Sequence, residues 1–173
     1  MKKTILILVA GLLSMLSAYT GHTQSMEKEI TNLLPIGSNA NMAKVSRHFW
    51  RTYGESLNEK WYSIRGGVEA EFQDKNIMYQ VVYNSKGNWA YTLKQYTEKE
   101  LPEDVRAQVK RAYYDYPITY VKEINQWDII NRSELVVYLL HVENDRESKT
   151  IRVADGEMNL VETYNKINGT ITN

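Results

Sequence analysis

The 173-residue chain contains no cysteine. Disulfides, thiol nucleophiles, thiolate metal sites and a lipid-modified N-terminal cysteine are therefore excluded, and the fold must be held by its core alone. Histidine is nearly as scarce. His22 lies near the start, His48 on a predicted helix and His141 in an apolar strand, so no two share an element at metal-ligand spacing. Formal charge sums to zero, which leaves no basic field for nucleic acid or anionic lipid. No strand–glycine loop–helix order exists to cradle a phosphate, because Gly66-Gly67 reads as a tight reversal between strands. Serines are scattered without a Gly-x-Ser-x-Gly elbow. Phenylalanine appears only twice, against thirteen tyrosines and four tryptophans, so the aromatic content consists of rings that pack on one side and meet water or a partner on the other.

Only one long apolar run is present, from Ile5 to Leu13 behind Met1-Lys2-Lys3. It is too short for a permanent span, and small residues Ser17 and Ala18 follow, so residues 1–24 are expected to be a cleavable signal peptide. The chain is then expected to be periplasmic or secreted, with about 150 residues for one compact domain or two small fused ones. Loss of Lys2 and Lys3 leaves 19 bases against 21 acids. Residues 25–38 read as a leader ending in the break Leu33-Leu34-Pro35-Ile36-Gly37, with Ser38 or Asn39 as cap of the next helix.

In that helix Met42, Val45, Phe49 and Tyr53 (or Trp50) form the apolar stripe, and Gly54 ends it. Strands follow at 60–65, 68–73, 77–83 and around Trp89, Tyr91 and Leu93, the last three predicted to line one side. Val68, Ala70 and Phe72 alternate with Glu69, Glu71 and Gln73. A second helix is predicted after Pro102, with Val105, Val109, Ala112, Tyr113 and Tyr116 as its stripe, Glu103 and Asp104 complementing its dipole and Pro117 stopping it. Strands then run over Ile118–Ile124, Leu135–Val142 (apolar on both faces, hence central), Lys149–Ala154 and Leu160–Tyr164. Residues 126–132 form an insertion, and residues 167–173 a polar, frayed tail. Val45 and Val105, Arg51 and Arg111, Tyr53 and Tyr113, and Ile64 and Ile124 all stand 60 positions apart, which signals duplication. The expected architecture is α+β: two tandem helix-plus-antiparallel-sheet units, αβββ(β) at 39–97 and 98–166, with both helices on one face of the sheet.

In order, LPEDVRAQVKRAYYDY, ITYVKEI, LVVYLLHV and ADGEMNL, preceded by KVSRHFWRTYG, EKWYSI, VEAEF and MYQVVYNSKGNW, resemble the bacterial PepSY-like, β-lactamase-inhibitor-like exported proteins over roughly residues 39–166. The resemblance implies export, a helix-plus-sheet unit used in tandem and a sheet surface able to grip another protein. It brings no catalytic residue and no cofactor. The insertion at 126–132 departs from it.

Candidate residues follow from the strand faces. Glu69 and Glu71 point the same way and could act as a carboxylate pair in a hydrolase, or form the wet face of an amphipathic strand. Met78, Gln80 and Val82 should share their face. Trp61 and Trp127 read either as core or as anchors for a partner, a role tryptophan often takes. Trp61, Glu69, Glu71, Met78, Gln80 and Trp127 are thus the expected contact residues of a non-enzymatic module that binds an exported protein or peptide on the open sheet face. The alternative is a small-ligand carrier with a tyrosine-lined pocket between the two units. No metal, cofactor or nucleic acid is expected.

Overall fold

The computed structural model describes residues 40–54 and 58–172, so the expected signal peptide, the expected leader, His22 and the expected Ser38 or Asn39 cap lie outside the described residues. Helix α1 (Ala40–Tyr53) is followed by four strands, β1 (Lys60–Ile64), β2 (Gly67–Asp74), β3 (Ile77–Asn84) and β4 (Trp89–Tyr96). A 3-10 turn (Glu98–Glu100) leads to helix α2 (Glu103–Ala112), then to β5 (Ile118–Asp128), β6 (Ser133–Glu143), β7 (Glu147–Ala154), β8 (Glu157–Asn165) and β9 (Thr170–Thr172). The nine strands form one antiparallel sheet in chain order, and the fold is α+β.

Each helix buries the stripe that its sequence spells out. Val45 and Phe49 of α1 pack with Ala70, Phe72, Val81 and Tyr83. Val105 and Val109 of α2 pack with Tyr96, Val121, Leu140, Val142, Ile151 and Val153. Antiparallel partners share a face. The register Val81–Thr92, Tyr96–Val121 and Val121–Leu140 therefore puts both helices on the same side of the sheet. Gly54, with φ +83°, ends α1 and donates its N–H to the Trp50 carbonyl at 3.0 Å.

Local signals misplace several details. Helix α2 stops at Ala112, four residues before the expected stop. Tyr113 and Tyr116 nonetheless pack against the α2 core, and Lys110 Nζ donates to the Tyr116 carbonyl at 2.9 Å. A bulge between Val82 and Tyr83 inserts Ala90 into β4, so Trp89 turns to the helix side while Tyr91 and Leu93 stay on the other. The β1–β2 reversal uses Arg65-Gly66, and Gly67 is already in the strand. A Cβ on Gly67 would fall 1.8 Å from the Tyr83 carbonyl oxygen, so this glycine is required by close approach of the neighbouring strand. The expected frayed tail forms β9 instead. The Asn165 side chain accepts the N–H groups of Ile167 and Asn168, turning the chain so that Thr170–Thr172 pairs with β8.

Candidate functional site

The side of the sheet away from the helices carries three parallel rows of side chains fixed by register. One runs Tyr62, Glu69, Val82, Tyr91, Gln126 and Leu135 across β1 to β6. The next runs Lys60, Glu71, Gln80, Leu93, Ile124 and Val137. A third holds Gln73, Met78, Gln95, Lys122, Leu139 and Arg152. At the centre of this face Ile124, Val137 and Leu139 on β5 and β6 are buried, as is Val82 on β3. At the β1–β3 end, Tyr62 is 43% exposed and Met78 42%. Two acids lie at that end, Glu69 and Glu71, with Lys60 opposite Glu71. Lys122 and Arg152 lie toward the opposite end.

Glu69 and Glu71 are close enough to interact. Partial burial comes first, then the neighbouring Glu71 charge and a hydrogen bond between the two carboxyls, and together they push Glu69 up to about 7. Two carboxylates in a half-buried place share one proton more easily than they hold two charges. Glu71 Oε1 accepts from Gln80 Nε2 at 2.8 Å. Tyr62 hydrogen-bonds to Glu71 as well, and its phenol is raised by burial first and the Glu71 charge second. Burial, then Glu69, raises Tyr91. On the basic side, desolvation lowers Lys122, whose ammonium sits 5.7 Å from the Tyr120 ring centre.

The four β2–β3 candidates, Glu69, Glu71, Met78 and Gln80, thus stand together on the helix-free face. The two tryptophans do not join them. Trp61 pairs with Ala70 and turns into the α1 core, its ring 5.0 Å from that of Phe49, because β1 must present one aromatic to the helix. Trp127 pairs with Glu134 on the helix side, beyond the end of β4, and is 54% exposed. Tyr62 and Tyr91 are the residues that the sequence reading passed over. The signal for Tyr62 was there, since its position in KWYSI is opposite in phase to Trp61.

On the helix side the polar side chains are used up in structure. His48 is half-buried, contacts Tyr83 Oη through Nδ1 at 2.9 Å, stacks on Trp89 and is lowered mainly by desolvation. It is therefore more than an exposed helix residue. His141 lies on the opposite, helix-free side, between Tyr120 and Thr150 on interior strand β6 and away from the sheet edges. Glu123 is buried, bound to Lys94 Nζ at 2.6 Å and to the Tyr96 hydroxyl at 2.5 Å. Among the described residues no three His, Asp or Glu side chains converge as a metal site. A shallow groove of about 550 Å³, lined by Glu98, Leu101, Arg106 and Ile118 among others, contains no tyrosine. Among the described residues no helix is long and apolar enough to cross a membrane.

No family model matches the chain, and no curated protein matches it. Solved structures do. A BLIP-like protein from Bacteroides fragilis superposes with a TM-score of 0.54 at 16% identity, over 74% of this chain and 88% of its own. A DUF2874 family protein from Bacteroides ovatus gives 0.54 at 18% identity, over 70% and 85%. A candidate periplasmic protein from Bacteroides eggerthii gives 0.51 at 15%, over 73% and 89%. At such identities the likeness is one of fold.

Proposed function

We propose that the chain is an exported, non-enzymatic module that binds a protein or peptide across the helix-free face of its sheet, at the β1–β3 end. One observation carries this reading. That end keeps Tyr62 and Met78 exposed beside the proton-sharing Glu69/Glu71 pair, whereas the centre of the same face is buried. Exposed aromatic and methionine side chains around buried polar groups are what partner-binding patches are made of. The BLIP-like name of one structural neighbour and the periplasmic description of another support the same direction, as does a leader of signal-peptide pattern at residues 1–24.

Against a hydrolase, Glu69 and Glu71 are occupied with each other, Gln80 and Tyr62, and no histidine or serine nucleophile lies in their rows. The modular part of the proposal is duplication. A helix followed by antiparallel strands recurs after the 3-10 turn, four strands the first time and five the second, with matched residues 60 positions apart, and the proposed boundary at 97–98 lies next to that turn. In the second unit the insertion at 126–132 is absorbed into a longer first hairpin.

The test is retention of proteins from the exported fraction of the producing cell on immobilised wild type, on Tyr62→Ala/Met78→Ala and on Tyr114→Ala. Tyr114 is 81% exposed elsewhere, which makes it the control. A species held by wild type and Tyr114→Ala, and lost from the double variant, is expected. Equal retention by all three, or none by any, overturns the reading.

A further inference from the structure

The β5–β6 hairpin reaches beyond its neighbours on both sides. Pairing of β4 with β5 ends at Tyr91–Gln126, and pairing of β6 with β7 begins only at Val137–Ala154. Residues 127–136 therefore form a two-stranded ribbon that leaves the body of the sheet. At its end Ile129 is 84% exposed, Ile130 71% and Trp127 54%. Three large apolar side chains on one convex tip are an expensive surface to leave in water, and no packing requirement of the described fold uses them.

The turn is built so that its backbone needs little from solvent. Asp128 Oδ1 accepts the N–H groups of Ile130 at 2.7 Å and Asn131 at 3.2 Å, and Oδ2 accepts from Asn131 Nδ2 at 2.7 Å. These bonds hold the Asp128 carboxyl below the usual range, backbone donors first. Arg132, with φ +52°, follows and is the one basic side chain of residues 127–136. Glu134 is the cross-strand partner of Trp127 and accepts from Asn125 Nδ2 at 3.2 Å.

We propose that this tip is a membrane-interface contact, inserting Ile129 and Ile130 into the headgroup–acyl boundary of a phospholipid surface with Trp127 at the interface. A protein partner would need a concave slot matched to this convex shape, whereas a bilayer deforms around an apolar tip and needs no such match. Tryptophan favours the interfacial depth, and a basic side chain beside the tip can reach phosphate while the isoleucines go deeper. Internal capture of the Ile130 and Asn131 N–H groups removes the main cost of bringing a turn to that depth. Asp128, Arg132 and Glu134 leave the ribbon with a formal charge of −1, so the attachment is driven by apolar burial and gains nothing from anionic lipid. Three side chains give a weak, reversible contact, which would hold the binding face near a membrane without fixing it there. This contact lies on a different surface from the proposed binding face and does not depend on it.

The experiment is co-sedimentation of the full chain with sucrose-loaded phosphatidylcholine vesicles at millimolar lipid, repeated with 30% phosphatidylglycerol (roughly one lipid in three) and in high salt. Wild type, Ile129→Asn/Ile130→Asn and Tyr114→Asn are compared, so any contribution from the N-terminal leader is common to all three. The double variant should lose at least about tenfold in partitioning, since each isoleucine removed forfeits its burial. Tyr114→Asn should match wild type, and phosphatidylglycerol and salt should change little. Equal partitioning of all three proteins overturns the proposal. So does absence of vesicle binding, whether the protein stays monomeric or sediments as a dimer that the double variant abolishes, the latter result assigning the tip to a second copy.

Discussion

Replacing Glu69 with glutamine should stabilise the protein at alkaline pH and leave it nearly unchanged in mild acid. Glu69 ordinarily titrates at 4.5 and is pushed up to about 7 in the folded chain. Between those values the folded state holds a proton that the unfolded chain has released, so folding is favoured by acid and weakened as pH rises toward 7. At about 1.4 kcal/mol per pH unit the full gap sets a ceiling of about 3 kcal/mol. Glu69 is only half-buried, and solvent screening brings the expected effect down to about 1 kcal/mol. The amide introduced by Glu69→Gln mimics the protonated acid: it is neutral, nearly isosteric and able to donate to Glu71. Urea unfolding at pH 4, 5, 6, 7 and 8 should therefore show a difference between variant and wild type that is near zero at pH 4 and grows to about 1 kcal/mol by pH 8. Taking the difference cancels the groups that titrate alike in both proteins. These include His48, whose lowered value acts in the opposite sense, and the depressed carboxyls of Glu143 and Glu147, which lose stability only in stronger acid. Glu71→Gln should flatten the same slope only partly, because burial precedes the Glu71 charge among the causes. A gap that is absent at pH 8, or constant from pH 4 to 8, refutes the account of a shared proton.

Two further outcomes concern the scaffold. Gly67→Ala should cost about 3 kcal/mol, since a Cβ cannot sit 1.8 Å from the Tyr83 carbonyl oxygen unless β2 and β3 separate; a melting temperature within a degree or so of wild type would contradict it. Glu123→Gln should cost about 2 kcal/mol by leaving Lys94 without its counter-charge, whereas Lys94→Met/Glu123→Leu should recover most of that loss; denaturant midpoints of wild type and these two variants decide it, and a double variant no better than the single would show that the pair itself is stabilising.

The elements that the sequence makes legible are those whose periodicity is local. Val45 and Phe49 repeat at helical spacing and meet the sheet as expected, and Val68 to Gln73 alternates in the strand just as it does in print. For the same reason Glu69 and Glu71 could be placed on one side together. Faces that depend on pairing are harder to read. The bulge opposite Val82 and Tyr83 reverses the phase of Trp89 relative to Tyr91, and nothing in Trp89-Ala90-Tyr91 announces it. Trp61 goes to the core because the Phe49 ring waits above β1, a contact twelve residues away in sequence. Strand β9 escapes a hydrophobicity reading because it is pinned by an asparagine side chain and only three pairs long. At the candidate site the residue types were visible, but the raised Glu69 was not. Its cause is burial among cross-strand neighbours Tyr62 and Val82, which only the register supplies.

Asymmetry between the two sides of the sheet bears on how binding can vary without loss of the fold. Both helices spend their stripes on one side, where every aromatic of the α1 cluster touches another ring and changes there are felt by the core. The other side keeps its own apolar centre dry through Ile124, Val137 and Leu139 in the middle strands and Val82 on β3, all buried without a helix of the described residues above them. Burial there falls away toward both edges, to Tyr62 and Met78 at the β1–β3 end and to Tyr164 and Ile171 on β8 and β9. Substitutions at the β1–β3 end remove exposed side chains and leave no cavity, so each should shift stability by about half a kcal/mol or less. Replacing Val137 or Leu139, three or more strands away, should cost several times more. The β1–β3 end of this face is thus a surface whose chemistry can change at little cost to folding, and a binding defect from Tyr62 or Met78 variants can be read as loss of contact instead of loss of structure.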